Sequence, residues 1–353
     1  MTEPLLEVDG LGKNFVAQRS VFGRPTAVVK AVDGVSLTLS AGETLALVGE
    51  SGCGKSTVGR LILGLIEPTT GTVSFKGRSI AGLPPTELRA FRAQAQLIFQ
   101  DPYASLNPRL TIGQTLDEPL ILHTQMTRQD RSARVGELLT TVGLKPIHAR
   151  RYPHEFSGGQ RQRIAIARAL AASPKLIVCD EPVSALDVSI RAQILNLLRD
   201  LQQQLGLALV FISHDLSVVK HIANRTAVMY LGRIVEMAET PALFAAPRHP
   251  YTQALLSAIP VASPAARGQR RILLQGDPPS PIDPPTGCHL HTRCPRAADI
   301  CSTSIPALLD TSDDHWTACH RWRDADQRAF QLVSELPMSP SLQRLVDAFR
   351  PMT

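Results

Sequence analysis

The chain has 353 residues, which is enough for one large domain with an appendage or for two domains. Apolar residues make up 44% of it, a globular share that excludes wholesale disorder. Basic residues outnumber acidic ones by 37 to 31, but they are interspersed with acids and mark no nucleic-acid-binding patch. No apolar run approaches the roughly 20 residues of a membrane-spanning helix, and the first residues lack the pattern of a secretory signal. We therefore expect a cytosolic protein that recognises no nucleic acid.

Strand-like and helix-like patterns alternate along most of the sequence. Apolar or alternating runs bounded by turn residues predict strands, and apolar residues spaced about 3.6 apart predict helices. A mostly helical stretch at about 105–172 interrupts the alternation, and an irregular basic insert is expected at 17–30. This arrangement predicts an α/β fold with a parallel sheet that carries an inserted helical subdomain. In chain order, the predicted elements are strands at residues 5–8, 35–39, 43–48, 72–75, 96–99, 176–179, 208–212 and 226–230, and helices at 55–66, 190–205 and 216–222.

The composition changes after about residue 260, where prolines become frequent and core-forming residues scarce. Such a stretch is typical of a linker or of a loop-rich module. We expect a first domain at residues 1–260, a Pro-rich module with four cysteines at 261–330, and a C-terminal tail at 331–353.

A glycine-rich segment between a predicted strand and a predicted helix reads Gly-Glu-Ser-Gly-Cys-Gly-Lys-Ser and matches the phosphate-loop pattern G-x-x-x-x-G-K-[ST]. Backbone N–H groups of such a loop close around phosphate oxygens, and the following helix points its positive end at them. Lys55 is predicted to contact the β- and γ-phosphates, and the Ser56 hydroxyl to bind Mg²⁺. The Cys53 side chain has no required role. The nucleotide-binding residues predicted in this loop are Gly49, Ser51, Gly52, Cys53, Gly54, Lys55, Ser56 and Thr57.

An apolar run at residues 176–179 is followed by Asp180 and Glu181. A strand of this kind delivers its last residues to the edge of a parallel sheet, beside the phosphate loop. Asp180 is then placed to bind Mg²⁺, usually through water, and Glu181 to act as a general base that polarises the attacking water. The pattern is weak alone, but together with the phosphate loop it predicts nucleotide hydrolysis.

The sequence Ser157-Gly158-Gly159-Gln160 precedes an amphipathic helical pattern at 161–172. Ser157 is a favourable N-cap, and the two glycines leave the first N–H groups of the helix accessible. These residues predict a second phosphate-binding helix terminus in the same chain. One nucleotide cannot readily be clamped by both termini within one monomer. We therefore infer that this second terminus acts on a nucleotide held by a partner chain.

In this order, the motifs resemble those of the ATP-binding subunits of ABC transporters, over about residues 5–260. Three further elements carry the resemblance: Gln100 in Phe99-Gln-Asp-Pro102, Asp187 in Ser184-Ala-Leu-Asp187, and His214 after a predicted strand. The resemblance implies a P-loop NTPase fold of the ABC cassette type, which binds ATP and Mg²⁺. Such a cassette has a parallel-sheet core, an antiparallel β subdomain and an inserted helical subdomain; here a small loop-rich cysteine module follows it.

The same resemblance implies roles for individual residues. Gln100 senses Mg²⁺ or water and links to the membrane partner, and Asp187 crosses a dimer interface. His214 holds the γ-phosphate and orients the attacking water. Members of the family also stack an aromatic ring on the adenine, and Phe15 in Gly12-Lys-Asn-Phe15 matches that position, although the insert at 17–30 lengthens its spacing to the phosphate loop.

The C-terminal part narrows the resemblance to the ATPase subunits of bacterial oligopeptide/dipeptide importers. The residues that carry it include Arg248-His-Pro-Tyr-Thr252, Leu255-Leu-Ser-Ala-Ile-Pro260 and Arg293-Cys-Pro295. It implies a second ABC ATPase subunit, preferably a paralogue, two membrane-spanning permease subunits, and indirectly a substrate-binding protein. The chain would then lie at the cytoplasmic face of the cell membrane as a peripheral protein. Dipeptides, longer peptides, glutathione and nickel chelates all stay open as cargo.

Four cysteines cluster late in the chain with the spacing C-x5-C-x6-C-x17-C, at Cys288, Cys294, Cys301 and Cys319. Four thiolates in so short a stretch can close around a metal or an iron–sulfur cluster. Relatives with this cysteine set resemble proteins that carry a [4Fe–4S] cluster. The resemblance therefore implies such a cluster here, in a structural role. Structural zinc, with His289 or His320 as a further ligand, and unligated cysteines stay open as alternatives.

Two other functions are compatible with part of the sequence. A soluble ABC protein that acts on nucleic acid or ribosomes would fit the basic charge, but such forms usually carry two cassettes, and this chain has one phosphate loop. A regulatory module without turnover is disfavoured because Lys55, Asp180, Glu181 and His214 are all present.

Overall fold

The structure, a computed structural model, describes residues 3–19, 25–259, 272–312 and 314–324. They divide into two compact units. The first runs to Ile234 and includes the short segment Ser280–Pro284, and the second comprises Val235–Pro279 and the residues from Pro285 onward. The division after Ile234 differs from the domain boundary predicted at residue 260, because composition marks the Pro-rich segment whereas packing assigns the preceding strand and helices to the second unit.

Two sheets form the core of the first unit. Its strands are β1 (Leu6–Arg19), β2 (Pro25–Leu39), β3 (Thr44–Val48), β4 (Thr70–Phe75), β5 (Arg78–Ser79), β6 (Ala95–Ile98), β7 (Leu176–Asp180), β8 (Ala208–Ser213) and β9 (Arg225–Tyr230). One sheet is antiparallel, with the strand order β2-β1-β4-β5. In the other, β9, β3, β8, β7 and β6 lie side by side in that order, and all are parallel. The predicted parallel core and antiparallel subdomain are both present.

The central parallel strands end at one edge of their sheet, and this edge positions the functional residues. β3 and β8 are buried along their whole length, as expected for strands covered on both faces. Val48 at the end of β3 lies opposite Ser213 of β8, and Asp180 at the end of β7 lies opposite Ile212. The residues that follow these three strands are therefore neighbours in space.

The region expected to be an irregular insert forms a long β-hairpin instead. β1 and β2 continue their antiparallel pairing to Arg19 and Pro25, with Phe15 opposite Val29 and Val16 opposite Val28. The sequence prediction was wrong here because the β-branched valines of β2 are interrupted by polar residues that hide the alternation. The tip of the hairpin lies outside the described residues.

Helices surround the parallel sheet and build the inserted subdomain. They are α1 (Lys55–Ile62), α2 (Pro85–Gln94), α3 (Pro102–Ser105), α4 (Ile112–His123), α5 (Arg128–Thr141), α6 (Gly158–Leu170), α7 (Val188–Leu205) and α8 (Leu216–Ile222). α3 to α6 form the subdomain predicted at 105–172, and Leu138, Leu139 and Ile164 are buried in it as the pattern indicated. Across the described ranges, every helix falls short of the combined length and apolar character needed to cross a bilayer.

The second unit contains short elements and long irregular stretches. Its elements are β10 (Arg233–Glu239), which belongs to it from Val235, then α9 (Thr240–Ala245), α10 (Pro250–Ser257), α11 (Asp299–Thr303), β11 (Leu309–Asp310) and β12 (Trp316–Thr317). β12 pairs antiparallel with both β10 and β11.

A buried carboxylate ties these short elements together. Glu236 on β10 has no exposed surface and accepts hydrogen bonds from the backbone N–H groups of Arg248 at 2.6 Å and His249 at 3.0 Å. Its Oε1 also lies 2.7 Å from Nε2 of His315, just before β12. Burying a carboxylate is unfavourable unless donors compensate it, and here they come from two separate segments.

Candidate nucleotide-binding and catalytic site

The loop that joins β3 to α1 has the backbone that the phosphate-loop pattern requires. Gly54 is the N-cap of α1 with φ 105°, and a Cβ there would collide with the carbonyl oxygen of Ala31. A Cβ at Gly49 would likewise collide with the carbonyl oxygen of Met229. These two positions accept only glycine, so the loop can turn sharply and aim its N–H groups at an anion at the start of α1.

Lys55 is buried beneath this loop. Its Nζ donates hydrogen bonds to the carbonyl oxygens of Gly49 at 2.8 Å and Glu50 at 2.9 Å, and it lies 3.7 Å from Sγ of Cys53. Burial raises the pKa of the Cys53 thiol, which favours its neutral form. The ammonium group of Lys55 is held where phosphate oxygens of a nucleotide in the loop would need a positive charge.

Ser56 and Asp180 meet across the edge of the sheet. The hydroxyl of Ser56 donates a hydrogen bond of 2.7 Å to Oδ1 of Asp180. Burial raises the pKa of Asp180, against the opposite effect of this hydrogen bond. A hydroxyl and a carboxylate oxygen are the hard ligands that Mg²⁺ prefers, so the two residues fit the predicted magnesium site.

Two predicted catalytic side chains, Gln100 and His214, converge on one carboxylate oxygen of a third, Glu181. Oε2 of Glu181 accepts a hydrogen bond of 3.0 Å from Nε2 of Gln100 and lies 3.1 Å from Nδ1 of His214. Glu181 has φ 47°, in the left-handed region that side chains other than glycine seldom adopt, and its N–H donates to the carbonyl oxygen of Ile212 at 3.0 Å. This backbone conformation directs the carboxylate, whose side chain is 13% exposed, towards Gln100 and His214.

A cavity of about 720 Å³ brings most of the predicted residues together in the first unit. The predicted residues that line it are Ser51, Gly52, Gly54, Lys55, Ser56, Thr57, Gln100, Glu181 and His214. Sequence reasoning had not assigned a site role to five others that line it, namely Val29, Ala31, Asp101, Ser184 and Ala185. Asp101 and Ser184 stand inside motifs already singled out and could have been included, whereas Val29 was hidden in the supposed irregular insert.

Phe15 lies beside this cavity, on β1 of the antiparallel sheet. It is 41% exposed and pairs directly with Val29, which lines the cavity. Nζ of Lys13 lies 5.4 Å from the centroid of its ring. Phe15 is not among the described residues that line the cavity, and its stacking role stays a prediction.

The second predicted phosphate-binding terminus is the start of α6. Ser157 is the N-cap, its Oγ accepts from the N–H of Gln160 at 3.4 Å, and Oε1 of Gln160 accepts from the N–H of Ser157 at 3.1 Å. This reciprocal capping box leaves Gly158 and Gly159 in the first turn. Among the described residues, these four do not line the nucleotide cavity, and Asp187 at the start of α7 is exposed.

In the second unit the four late cysteines line one small cavity, together with histidine and arginine side chains that include His249, His320 and Arg296. Burial raises the pKa of Cys288 and Cys294, and that of Cys319 to about 11. Nevertheless, the part of the chain that the structure describes contains no group of three or more His, Cys, Asp or Glu side chains arranged to hold a metal ion. The four thiols share a cavity but form no ready-made group of metal ligands there, so the iron–sulfur cluster stays a prediction.

Two family profiles match the chain. The profile described as ABC transporter matches residues 32–184, and the one described as oligopeptide/dipeptide transporter, C-terminal region, matches residues 235–301. The second match begins at the residue where the second compact unit begins.

Similar proteins and solved structures agree with these profiles. A probable peptide ABC transporter ATP-binding protein, y4tS, of Sinorhizobium fredii is 55% identical over 91% of this chain and 90% of its own. The oligopeptide transport ATP-binding protein AppF of Bacillus subtilis is 52% identical over 90% of this chain and 97% of its own.

Among solved structures, the dimeric post-hydrolysis state of the ATP-binding cassette MJ0796 bound to ADP and Pi is 30% identical, with a TM-score of 0.59, and covers 67% of this chain and 98% of its own. The structure of cbiO1 from Clostridium perfringens, part of the ABC transporter complex cbiONQ, is 25% identical, with a TM-score of 0.60, and covers 69% of this chain and 92% of its own. The chain therefore belongs to the ABC ATPases, in the family of ATP-binding subunits of peptide and oligopeptide transporters.

Proposed function

We propose that this chain is a motor subunit of a peptide importer and that Glu181 is its general base. The observation that carries the proposal is the convergence of Gln100 and His214 on Oε2 of Glu181, in the cavity that also holds Lys55. The phosphate loop and Lys55 bind the ATP phosphates; Ser56 and Asp180 would hold Mg²⁺, which would supply positive charge to the phosphate oxygens.

Hydrolysis then proceeds by proton removal from a bound water. The water oxygen bonds to the γ-phosphorus, its proton passes to Oε2 of Glu181, and the bond from the γ-phosphorus to the β–γ bridging oxygen breaks, which yields ADP and phosphate. His214 contacts the γ-phosphate and orients the water. Gln100, hydrogen-bonded to the same carboxylate, holds it in place until the water enters.

The capped start of α6 acts on ATP bound to a second ATPase subunit. The half-buried Gly158 in the first turn and the positive end of the helix favour phosphate oxygens, and the exposed Asp187 contributes to the same interface. Two subunits thus close over two nucleotides. Phe15, next to the cavity-lining Val29, stacks on the adenine.

A membrane-spanning permease subunit docks in a groove of the first unit that combines exposed apolar side chains with polar and charged ones. The groove, of about 290 Å³, is lined by Leu65, Phe99 and Leu122 among others, and these three are 48%, 46% and 48% exposed. Phe99 immediately precedes Gln100, so an apolar segment seated there contacts the same stretch of chain that reaches Glu181. Two permease subunits and a paralogous second ATPase complete the complex at the cytoplasmic face of the membrane, and a substrate-binding protein delivers the peptide.

The test is reconstitution of this chain with the permease subunits and the second ATPase that co-purify with it from its native membranes. Proteoliposomes that contain the complex should accumulate peptide only with ATP, and the complex without this chain should not. Recovery of the chain free of membrane subunits, together with ATPase activity stimulated by nucleic acid or ribosomes, would contradict the proposal and support a soluble ABC protein.

The cysteine cavity favours a second proposal, that the four cysteines hold a [4Fe–4S] cluster that stabilises the second unit. The support is that Cys288, Cys294, Cys301 and Cys319, separated in sequence, line one cavity. Their burial disfavours thiolates without a compensating cation, and a cluster supplies such positive charge. The described residues present no ready-made metal-binding group, so binding requires these side chains to rearrange. Metal analysis after anaerobic purification tests it.

A further inference from the structure

The segment that follows Gln100 is attached to the nucleotide cavity at successive residues. Gln100 donates to Glu181 at 3.0 Å, and Asp101 lines the cavity. The carboxylate of Asp101, the N-cap of the short helix α3, in turn accepts a hydrogen bond of 2.7 Å from the N–H of Tyr103, the second residue of that helix. The position of Tyr103 is therefore fixed relative to the catalytic carboxylate.

The ring of Tyr103 contacts the helix whose N-terminus carries Ser157. The guanidinium carbon of Arg161 lies 3.8 Å from the centroid of this ring, a close cation–π contact. Arg161 is only 9% exposed, whereas Tyr103 is 61% exposed, so the ring covers a guanidinium that would otherwise be more open to solvent.

Arg161 also holds the approach to the start of α6. Its side-chain Nε donates 2.7 Å to the carbonyl oxygen of Pro153, in the segment before Ser157, and its backbone N–H makes the helical hydrogen bond of 2.9 Å to the carbonyl oxygen of Ser157. One arginine thus contacts the Tyr103 ring, the preceding loop and the N-cap itself.

A second contact prevents α3 from moving independently of α6. Two helical turns beyond Arg161, Nη1 of Arg168 donates a hydrogen bond of 2.6 Å to the carbonyl oxygen of Ser105, the last residue of α3. Both ends of the short helix are therefore held on one face of α6.

We propose that Tyr103 and Arg161 are a positioning pair that couples the hydrolytic site of this chain to the N-terminus of α6. The coupling rests on the proposed function, in which Ser157 acts on ATP held by the second subunit. A change at Glu181 that moves Gln100 is transmitted through Asp101 and Tyr103 to Arg161, which adjusts the loop and N-cap at Ser157. By thermodynamic linkage, a nucleotide engaged by Ser157 favours in return the arrangement of Gln100 at Glu181.

The test compares Tyr103→Leu with Tyr103→Phe in the assembled transporter complex. Leucine removes the π face, while phenylalanine keeps it. We expect Tyr103→Leu to lower kcat for ATP hydrolysis about tenfold, with the KM for ATP, ATP binding to the isolated full chain and the urea midpoint of unfolding unchanged. Tyr103→Phe should restore kcat. The matched control is Tyr152→Leu, since the exposed ring of Tyr152 stacks on His154 and does not contact Arg161.

A double-mutant cycle identifies the pair. Tyr103→Leu combined with Arg161→Gln should lower kcat no further than the more severe single variant, because both remove one interaction. Additive losses, an unchanged kcat in Tyr103→Leu, or a Tyr103→Phe variant as slow as Tyr103→Leu would each overturn the proposal.

The Ser157→Arg variant separates this proposal from the function on which it rests. If Ser157→Arg blocks hydrolysis and Tyr103→Leu does not alter it, the coupling is wrong and the proposed function stands. If Ser157→Arg hydrolyses ATP normally, the action of α6 on the second nucleotide is itself wrong.

Discussion

The nucleotide cavity of the first unit and the cysteine cavity of the second unit are each lined by residues that are distant in sequence. The secondary structure that positions these residues differs between the two cavities. Lys55, Asp180 and His214 follow or end buried parallel strands, so their relative positions are set by the register of β3, β7 and β8. Three of the four cysteines lie in irregular stretches, and Cys301 lies on the five-residue helix α11.

This difference explains why the sequence predicted the arrangement of the site residues in the first unit but not that of the cysteines in the second unit. Strand ends in a parallel sheet meet at one edge, so a short motif after each strand specifies a common site. Cysteine spacing in loops does not specify where the sulfur atoms lie, and the structure gives them a shared cavity without a ligand arrangement. The predictions below test two consequences of this comparison. The first is that the residues of the nucleotide cavity have fixed roles, and the second is that the stability of the second unit depends on a ligand of the cysteines.

The largest effect is expected for Glu181→Gln. The amide keeps the size of the side chain but cannot accept the proton of the attacking water, so ATP turnover by the assembled complex should fall about 10²–10⁴-fold. ATP binding should persist because Lys55 and the loop glycines are untouched. Steady-state phosphate release and equilibrium binding of a labelled nucleotide measure the two quantities.

Glu137→Gln is the matched control for this change. Glu137 lies on α5 with a side chain 63% exposed and pairs with Arg134 on the surface, so its amide variant should hydrolyse ATP normally. Hydrolysis at a near-normal rate with Glu181→Gln in place would show that the proton goes elsewhere and that the convergence on Oε2 has another purpose.

A smaller but still large loss is expected for Ser157→Arg. The long side chain obstructs phosphate binding at the start of α6, so turnover should fall at least tenfold while ATP binding to the variant chain itself is unchanged. Thr127→Arg provides the control, because Thr127 is also a helix N-cap, on α5. Loss of either N-cap costs the helix about 1 kcal/mol, so the two variants differ only in which helix start is altered. If the Ser157 variant lost its own ATP binding, the helix would act on the nucleotide of the same chain.

Local sequence patterns predicted the elements that carry the site and missed those that depend on distant partners. The helix at 216–222 and the strand end at Val48 agree with the patterns because periodicity and burial act together there, and β7 runs one residue beyond the predicted strand, to Asp180. The hairpin that brings Val29 to the nucleotide cavity was missed, since its stability comes from cross-strand pairs rather than from one strand alone. Glu236 could not be identified either, because its donors come from segments up to about eighty residues away.

Glu236→Ala should destabilise the second unit by about 3 kcal/mol, because three buried donors lose their acceptor. The two tryptophans of the chain, Trp316 and Trp322, both lie in this unit, so tryptophan fluorescence during urea unfolding reports on it. The control is Glu239→Ala, at the exposed end of the same strand, which should leave the urea midpoint nearly unchanged. An unchanged midpoint for Glu236→Ala would mean that this carboxylate does not hold the unit together.

The smallest effect on ATP turnover is expected for Cys294→Ser. The same variant tests whether the cysteine cavity binds a cluster. With a cluster bound, the wild-type protein purified without oxygen should contain iron and sulfide in a ratio near one and show visible absorption, and the variant should lose both. ATP turnover should stay close to the wild-type rate, because the residues proposed to hold ATP lie in the first unit. Tryptophan fluorescence should show a lower urea midpoint, since ligation contributes to the stability of a unit with few regular elements.

Cys179→Ala is the control for this variant, because it removes a thiol buried in β7 of the first unit and should leave the metal content unchanged. If the purified protein contained stoichiometric zinc and no iron, the cavity would hold a zinc site and not a cluster. A wild-type protein with no metal, and a urea midpoint equal to that of Cys294→Ser, would show that the four cysteines only pack against one another. In that outcome the second unit relies on Glu236 and its donors, and its cysteine cavity, unlike the nucleotide cavity, binds nothing.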